Sequence, residues 1–177
     1  ILRREPDGRI VLVTPVESVG IVVDDAPFAA VEMAAEYTLC DHAEVPNLPE
    51  QLARLSNLAF GDYEGAMPVS ERWVDWFLRR PGTDPHISQA ALDGRKLIAN
   101  VLVCAQELQL GGDLLRCGII DSVATDPDYR RQGLARVLME RTHEKMRRAG
   151  LDAAVLYTNP DDHPYRFYER LGYVTRA

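Results

Sequence analysis

The chain has 177 residues, of which 46% are hydrophobic and 27% are charged, and this composition is typical of one globular domain, with or without an appendage. The formal net charge of −7 argues against nucleic acid as a general partner, because binding to a phosphate backbone depends on cationic side chains. No apolar run reaches the ~20 residues of a membrane span, and no signal-peptide pattern is present, so we expect neither a membrane protein nor a secreted one.

The N-terminal segment, residues 1–36, predicts a set of short strands. Runs of apolar and β-branched residues at 9–14, 19–23 and 28–33 are separated by turn residues, including Pro15. Parts of this segment resemble a fragment of a bacterial β-rich family of unknown function, which implies no activity. The chain begins at Ile1 rather than methionine, as a trimmed or incomplete product would. We treat residues 1–36 as an N-terminal β segment and residues 37–177 as the main domain.

The main domain opens with one predicted strand and two predicted helices. The strand is expected at 37–40, and the first helix at 48–60, where leucines recur at the helical period. Asn47 and Glu50 are spaced as in a capping box, which predicts the start of that helix. Ser70 is expected to cap the second helix, which ends before a Pro-Gly pair.

Three consecutive strands are then predicted, at 87–92, 96–110 and 114–124, joined by Asp-Gly and Gly-Gly turns that favour hairpins. A helix at 133–149 crosses over to a strand at 153–157, which we expect to lie parallel to the third strand of this meander. A short aromatic helix follows and stops at a glycine. This order predicts an α/β (α+β) fold, with a mixed, mostly antiparallel twisted sheet and flanking helices.

A polar turn leads directly into the 133–149 helix. Arg131, Gln132 and Gly133 therefore precede the helix where its first backbone N–H groups point outward. The helix dipole and these N–H groups favour an anion, and Gly133 has no side chain to keep a bulky anion away. The alternative is an ordinary helix start that contains a glycine.

Two motifs stand in order along the second half of the chain: Arg130-Arg131-Gln132-Gly133-Leu134-Ala135 and Phe167-Tyr168-Glu169-Arg170-Leu171-Gly172-Tyr173. They resemble the pyrophosphate loop, Arg/Gln-x-x-Gly-x-Gly/Ala, and the closing segment, Phe-Tyr-Glu-Arg/Lys-Leu-Gly-Phe/Tyr, of the GCN5-related N-acetyltransferase (GNAT) superfamily. The resemblance covers roughly residues 37–177. It implies a GNAT-like sheet, acetyl-CoA as co-substrate, and transfer of the acetyl group to an amine of a small molecule or a protein.

The resemblance also implies which residues bind the cofactor. Backbone N–H groups of the loop would bind the pyrophosphate, while its two arginines either add charge-assisted contacts or form a solvated basic turn. The pantetheine chain would pair with the end of the third meander strand, where a bulge opens the family's sheet. An asparagine after the 153–157 strand would contact the cofactor, although Asp161 fills the commoner spacing. The implied cofactor-binding residues are Val123, Ala124, Thr125, Arg130, Arg131, Gln132, Gly133, Leu134, Ala135, Asn159 and Tyr168.

Tyr168 is the implied proton donor to the departing thiolate. A phenol is suited to this task because it stays protonated at neutral pH. The alternative is that Tyr168 packs in the core like its neighbour Phe167.

Asp121 is the candidate general base. It stands in an apolar run and shares a strand face with Ile119 and Val123, where an unpaired carboxylate would be costly. The family's usual glutamate position is Ile119 here, which departs from the pattern. Asp162 and His163 are alternative bases, and His163 is otherwise a turn residue before a proline.

The acceptor pocket is expected between the two early helices and the loop that follows the 153–157 strand. Asp62, Tyr63, Glu64 and Trp73 could hold an amine through charge and cation–π contact, although a helical core also explains Trp73. A different function is an acyl-CoA-binding sensor without turnover. Tyr168 favours the enzyme, and the missing glutamate favours the sensor.

Three cysteines, Cys40, Cys104 and Cys117, are odd in number and lack the spacing of a metal site. We interpret them as small apolar residues in a reducing, cytoplasmic compartment, and we expect no metal. Few residues follow Tyr173, whereas the family usually closes its sheet with two strands. Residues 9–35 either supply the missing strands, within the chain or across a homodimer, or form a separate flap.

Overall fold

The computed structural model describes residues 2–4, 10–12, 19–22, 37–63, 66–110, 113–158 and 164–176. The described strands are β1 (Leu2–Arg4), β2 (Ile10–Leu12), β3 (Val19–Val22), β4 (Thr38–Asp41), β5 (Gln89–Asp93), β6 (Lys96–Leu110), β7 (Asp113–Thr125), β8 (Ala153–Tyr157) and β9 (Val174–Arg176). The described α-helices are α1 (Leu48–Phe60), α2 (Glu71–Leu78), α3 (Leu134–Arg148) and α4 (Tyr165–Arg170).

Seven of these strands form one sheet in the order β4-β5-β6-β7-β8-β3-β9. Strands β4 to β7 are an antiparallel meander, and α3 crosses over so that β8 lies parallel to β7. The predicted mixed, mostly antiparallel sheet with flanking helices is therefore confirmed. Strand β5 begins two residues later than the predicted 87–92 strand. The reason is that Ile87 and Ser88 donate their N–H groups to Asp84 O in the preceding turn.

The helices cover the two faces of the sheet and bury a different cluster on each. On one face, Leu134, Leu138 and Met139 of α3 are almost fully buried against the central strands. On the other, Leu52 and Leu55 of α1 pack with residues of α2, β5 and β6. Each side chain of this size contributes about 1.5–3 kcal/mol when it leaves water, so both faces hold the sheet rigid beneath the site.

The starts of the first two helices differ from each other in how they are capped. At α2 the prediction is confirmed, since Ser70 Oγ accepts from the Trp73 N–H at 3.2 Å. At α1 it is wrong: Asn47 has φ 50° and makes no side-chain cap bond. Asparagine tolerates this left-handed conformation better than most residues, and a proline at 49 has no N–H to be capped.

The N-terminal segment contributes to the main sheet. β3 lies between β8 and β9 and pairs antiparallel with both, so residues 19–22 supply a strand within the chain. Of the predicted 9–14 strand, Ile10–Leu12 pairs with β1 in a separate two-stranded sheet. The predicted 28–33 strand lies outside the described residues. The division of the chain at residue 36 stays a prediction.

We expect removal of residues 1–36 to cause aggregation or a change in oligomeric state. The truncation takes away β3, which leaves the edge of β8 unpaired and β9 without its neighbour, and exposed edges promote association. Light scattering coupled to gel filtration measures the outcome. Removal of residues 1–12 is the matched control, since it takes away only β1 and β2. A soluble 37–177 protein of parental size would contradict the prediction.

Candidate functional site

The central feature of the site is an irregularity in β7. Ser122 pairs with Leu102 and Ile120 pairs with Val103, so Asp121 is an extra residue with no partner opposite it on β6. The parallel pairing of β7 with β8 ends at Ile120–Leu156, although β7 continues to Thr125. A bulge of this kind bends a strand away from its neighbour, and within the described residues no strand pairs with this edge of β7 beyond Ile120.

The end of β7 leads into a turn that is held in place by Asp126. Its buried carboxylate contacts Lys96 at 3.0 Å and Arg54 at 3.4 Å, and its Oδ1 accepts from Asp128 N at 3.2 Å. Burial alone would raise the pKa of Asp126, but the hydrogen bond from Lys96 and its neighbours lower it below the ordinary value. The charged carboxylate therefore fixes the start of the turn.

The first backbone N–H groups of α3 have no acceptor within the helix where this turn enters it. Arg131 has φ 62° and Gly133 has φ 81°, and the first helical bond runs from Val137 N to Gly133 O at 3.0 Å. The N–H groups of Leu134, Ala135 and Arg136 therefore precede the helical ladder. Leu134 is 2% exposed and belongs to the core cluster beneath the turn. This arrangement favours an anion next to the open edge of β7.

Arg130 makes two hydrogen bonds to backbone carbonyl groups of the protein. Its Nε donates to Thr125 O at 3.3 Å and its terminal nitrogen donates to Ala59 O at 3.2 Å, which ties the turn to the last residues of α1. These two hydrogen bonds use two of the five N–H groups of the guanidinium, and its contact with an anion stays a prediction. Arg131 is exposed, and Gln132 Oε1 accepts from Tyr37 Oη at 2.7 Å.

Tyr168 lies on α4 with its ring between two other aromatic rings. The centroid of Phe167 is 5.2 Å away and that of Tyr173 is 5.8 Å away, both edge-on. Burial, with a smaller contribution from Tyr63, raises the pKa of Tyr168 to about 12. The phenol therefore stays protonated at neutral pH, and the influence of Tyr63 places the loop after α1 beside α4.

The carboxylate of Asp121, which would be costly if it were unpaired in this apolar run, has a partner. The residue is exposed, and its Oδ2 forms an ion pair with Arg80 at 2.6 Å. The other candidate residues near the proposed base and cofactor, Asn159, Asp161, Asp162 and His163, lie outside the described residues.

The aromatic residues of α2 are more exposed than a helical core would make them. Trp73 is 49% exposed and stacks on Phe77 with 4.9 Å between ring centroids, while Trp76 is 63% exposed. The stack of Trp73 on Phe77 leads toward Arg80 and the bulge. This leaves an aromatic surface on the side of the sheet where Asp121 meets α2.

The chain matches a family model described as "Acetyltransferase (GNAT) domain" over residues 48–175. The chain belongs to the GNAT acetyltransferase family. This membership confirms the resemblance drawn from the 130–135 and 167–173 motifs. The use of acetyl-CoA as co-substrate is a property of this GNAT family.

Three relatives show how far the likeness extends. The chain is 36% identical over 90 residues to N-alpha-acetyltransferase 30 from Schizosaccharomyces pombe, covering 50% of this chain and 58% of that protein. It shares its fold with a GCN5-related N-acetyltransferase from Sphaerobacter thermophilus (TM-score 0.67, 20% identity, 92% of this chain and 50% of that one). The ribosomal-protein-S18-alanine N-acetyltransferase from Escherichia coli is also similar (TM-score 0.59, 20% identity, 77% of each chain).

The structure also has a cavity that is lined by residues outside the bulge and outside the turn before α3. A cavity of about 420 Å³ lies between the start of α1 and the turn joining β5 to β6. It is lined by Pro46, Asn47, Glu50, Gln51, Arg54, Arg95 and Lys96, none of which belongs to the bulge or to the turn before α3. In the part of the chain that the structure describes, no acidic, histidine or cysteine group is arranged to hold a metal, and no helix there is long and apolar enough to cross a membrane.

Arg80 is the site residue that sequence reasoning missed. It directly follows Arg79 at the end of α2, and nothing in that pair indicates which arginine turns inward. Arg79 pairs with Asp75 on the helix surface at 3.0 Å, whereas Arg80 reaches across to the bulge. Only the packing of α2 against the sheet distinguishes the two.

Proposed function

We propose that this GNAT protein transfers the acetyl group of acetyl-CoA to an amine. The observation that carries the proposal is the bulge at Asp121, beyond which β7 no longer pairs with β8 and runs on to the turn before α3. An open strand edge can accept the amide groups of a pantetheine chain, and the adjacent N–H groups suit its pyrophosphate. The two halves of one ligand site thus lie next to each other along the chain.

The proposed cofactor contacts come from the turn before α3, from the end of β7 and from the segment after β8. The N–H groups of residues 132–135 would bind the pyrophosphate, with Arg131 as the exposed cation. The edge at Val123, Ala124 and Thr125 would pair with pantetheine. Arg130, which also braces the turn, would add a charge-assisted contact to the pyrophosphate. Asn159 remains a proposed ligand on the grounds of sequence.

Two residues would carry out the proton transfers of the reaction. Acetyl-CoA supplies a thioester, whose C–S bond breaks as the acceptor nitrogen bonds to the acetyl carbon. Tyr168, whose raised pKa keeps it protonated, would donate to the departing sulfur. Asp121 would accept the proton of the acceptor amine, since it lies at the point where β7 separates from β8.

A screen of amines with acetyl-CoA and detection of the free thiol tests this function. The names of the relatives include N-alpha-acetyltransferases, so peptides with a free N-terminus are the first acceptors to include, followed by small-molecule amines. Amine-dependent thiol release supports the enzyme. Tight binding of acetyl-CoA without turnover on any amine would instead identify an acyl-CoA sensor, a function favoured by the engagement of Asp121 with Arg80.

We also propose a cytoplasmic location, a homodimer, and the absence of nucleic-acid and membrane partners. All three cysteines are free and buried, and burial raises the pKa of Cys117 to about 11, which agrees with inert thiols in a reducing compartment. The net charge of −7 disfavours nucleic acid. Gel filtration with light scattering tests the dimer. The proposal that the chain is bacterial-like depends only on the resemblance of the N-terminal segment to a bacterial family.

Replacing Gly133 with valine should raise the dissociation constant of acetyl-CoA at least tenfold, about 1.4 kcal/mol. The branched side chain would stand where the pyrophosphate approaches the backbone, and the φ of 81° disfavours any side chain. Calorimetric titration measures the constant. Gly150→Val at the far end of α3, where φ is 70°, is the matched control for backbone cost. Parental affinity in a folded Gly133→Val protein would remove the turn from the cofactor site.

A further inference from the structure

Arg80 is held beside the bulge by three contacts. Its terminal nitrogen pairs with Asp121 Oδ2 at 2.6 Å, its Nε donates to Phe77 O at 3.2 Å, and its guanidinium carbon lies 3.4 Å from the centroid of the Phe77 ring. An arginine on an exposed surface usually keeps several rotamers. In Arg80 the rotamer is restricted, because the Phe77 ring fixes the plane of the guanidinium and the Asp121 carboxylate fixes its direction.

The backbone that carries Arg80 is fixed as well. Ala105 N donates to Gly82 O at 2.7 Å, and Thr83 forms an isolated bridge with Cys104 of β6. Gly82 has φ 89°, and a side chain there would collide with Ala105 O. The segment after α2 is therefore attached to the sheet, close to the point from which the Arg80 side chain projects.

The guanidinium still has donors to offer. Arginine carries five N–H groups, and its two hydrogen bonds to protein partners use one on Nε and one on a terminal nitrogen. The side chains of Arg80 and Asp121 are 29% and 26% exposed, so the pair is partly open to solvent. A cation with free donors and an anion with a second carboxylate oxygen thus stand side by side at the bulge.

We propose that this pair selects the acceptor, and that Arg80 recognises a carbonyl oxygen on the carbon next to the reactive amine. Asp121 would accept a proton from the amine, and Arg80 would donate a hydrogen bond to the carbonyl oxygen. The N-terminal residue of a peptide carries both of these groups. The ε-amine of lysine has only methylene groups beside it and would leave the guanidinium without this partner. The inference rests on the proposed acetyl transfer and assigns its acceptor class, α-amines of polypeptides.

The test compares two acceptors in the full-length protein. One is a short peptide amide with a free N-terminus. The other is the same peptide with its first amide replaced by an (E)-alkene, which keeps the α-amine, removes the oxygen and adds no second amine. We expect the parent to show a kcat/KM at least tenfold higher for the first, about 1.4 kcal/mol. A parent that uses both equally, or prefers the carbonyl-free amine or a lysine ε-amine, would overturn the inference.

Variants then assign the preference to Arg80. Arg80→Gln should reduce the ratio of the two kcat/KM values toward one, while its affinity for acetyl-CoA stays parental. Arg80→Lys, which keeps the charge without the planar fork, should retain part of the ratio. Arg79→Gln is the matched control, because Arg79 is the adjacent arginine with a side chain 76% exposed, and it should keep the parental ratio. A lowered rate with an unchanged ratio would make Arg80 merely structural.

The possible results distinguish a failure of this inference from a failure of the proposed acetyl transfer. If no amine releases thiol in the parent, acetyl transfer itself is wrong. If thiol release occurs but the ratio does not depend on Arg80, acetyl transfer stands and the assignment of Arg80 falls. If Arg80→Gln does not fold, the role of Arg80 is tested by the acceptor preference of the parent and by the ratio of the two kcat/KM values in Arg80→Lys.

Discussion

Tyr168→Phe is expected to lower kcat by roughly 10²- to 10⁴-fold while leaving the dissociation constant of acetyl-CoA nearly unchanged. The substitution removes only the hydroxyl, so the edge-on contacts with Phe167 and Tyr173 remain. What is lost is the donor that would neutralise the departing thiolate. Single-turnover kinetics with acetyl-CoA and a peptide amine measures kcat, and calorimetry measures the affinity.

The raised pKa makes this prediction more specific. Because burial raises the pKa of Tyr168 to about 12, deprotonation of this phenol should not limit the parental rate at neutral or mildly alkaline pH. Tyr165→Phe, one turn earlier on α4, is the matched control and should keep parental turnover. If Tyr168→Phe also turns over at the parental rate, the tyrosine only packs.

The fold could be predicted from local patterns because each element is specified by its own residues. Alternation and turn glycines placed β5, β6 and β7, and leucine periodicity placed α1. The N-cap at Ser70 followed from one residue type at one position. Where two local preferences competed, prediction failed: Asn47 can cap a helix or adopt a left-handed conformation, and the structure has the second.

The candidate site was less predictable because its geometry depends on pairing between distant residues. The bulge at Asp121 arises from the register of β7 against β6, which no property of β7 alone fixes. Likewise Arg80 and Asp121 are 41 positions apart in the chain. Arg130 illustrates the same limit, since its carbonyl partners include Ala59 at the end of α1. The motif located the turn but could not show where its arginine points.

Two buried histidines should make the protein lose stability in mild acid. His42 is 2% exposed and His143 is 4% exposed. Burial lowers the pKa of each from 6.5 to about 4. In His42 the neighbouring Asn100 side chain and Gln89 backbone only partly oppose this shift, and in His143 the charge of Arg147 adds to it. His143 Nε2 also lies 2.8 Å from Tyr173 Oη, so its neutral ring forms part of the core beneath α4.

The direction of the effect follows from proton binding. Between pH 6.5 and 4 the unfolded chain binds a proton at each histidine and the folded chain does not, so lowering the pH favours unfolding. The stability is complete above pH 6.5 and is lost progressively toward pH 4, by about 2 kcal/mol per histidine at pH 5. Asp41 and Asp126, whose pKa values are lowered despite burial, lose their contribution only at more acidic pH.

Urea unfolding at pH 7.5, 6.5, 5.5 and 5.0 measures this loss. His42→Gln cannot titrate, so its free energy of unfolding should fall less steeply over this range than that of the parent, whatever its value at pH 7.5. His86→Gln is the control for the loss of one histidine, because the side chain of His86 is 74% exposed, and the slope of His42→Gln is compared with its slope. A His42→Gln protein with the parental slope would mean that His42 already binds its proton in the folded state, at a position where burial should forbid the charge.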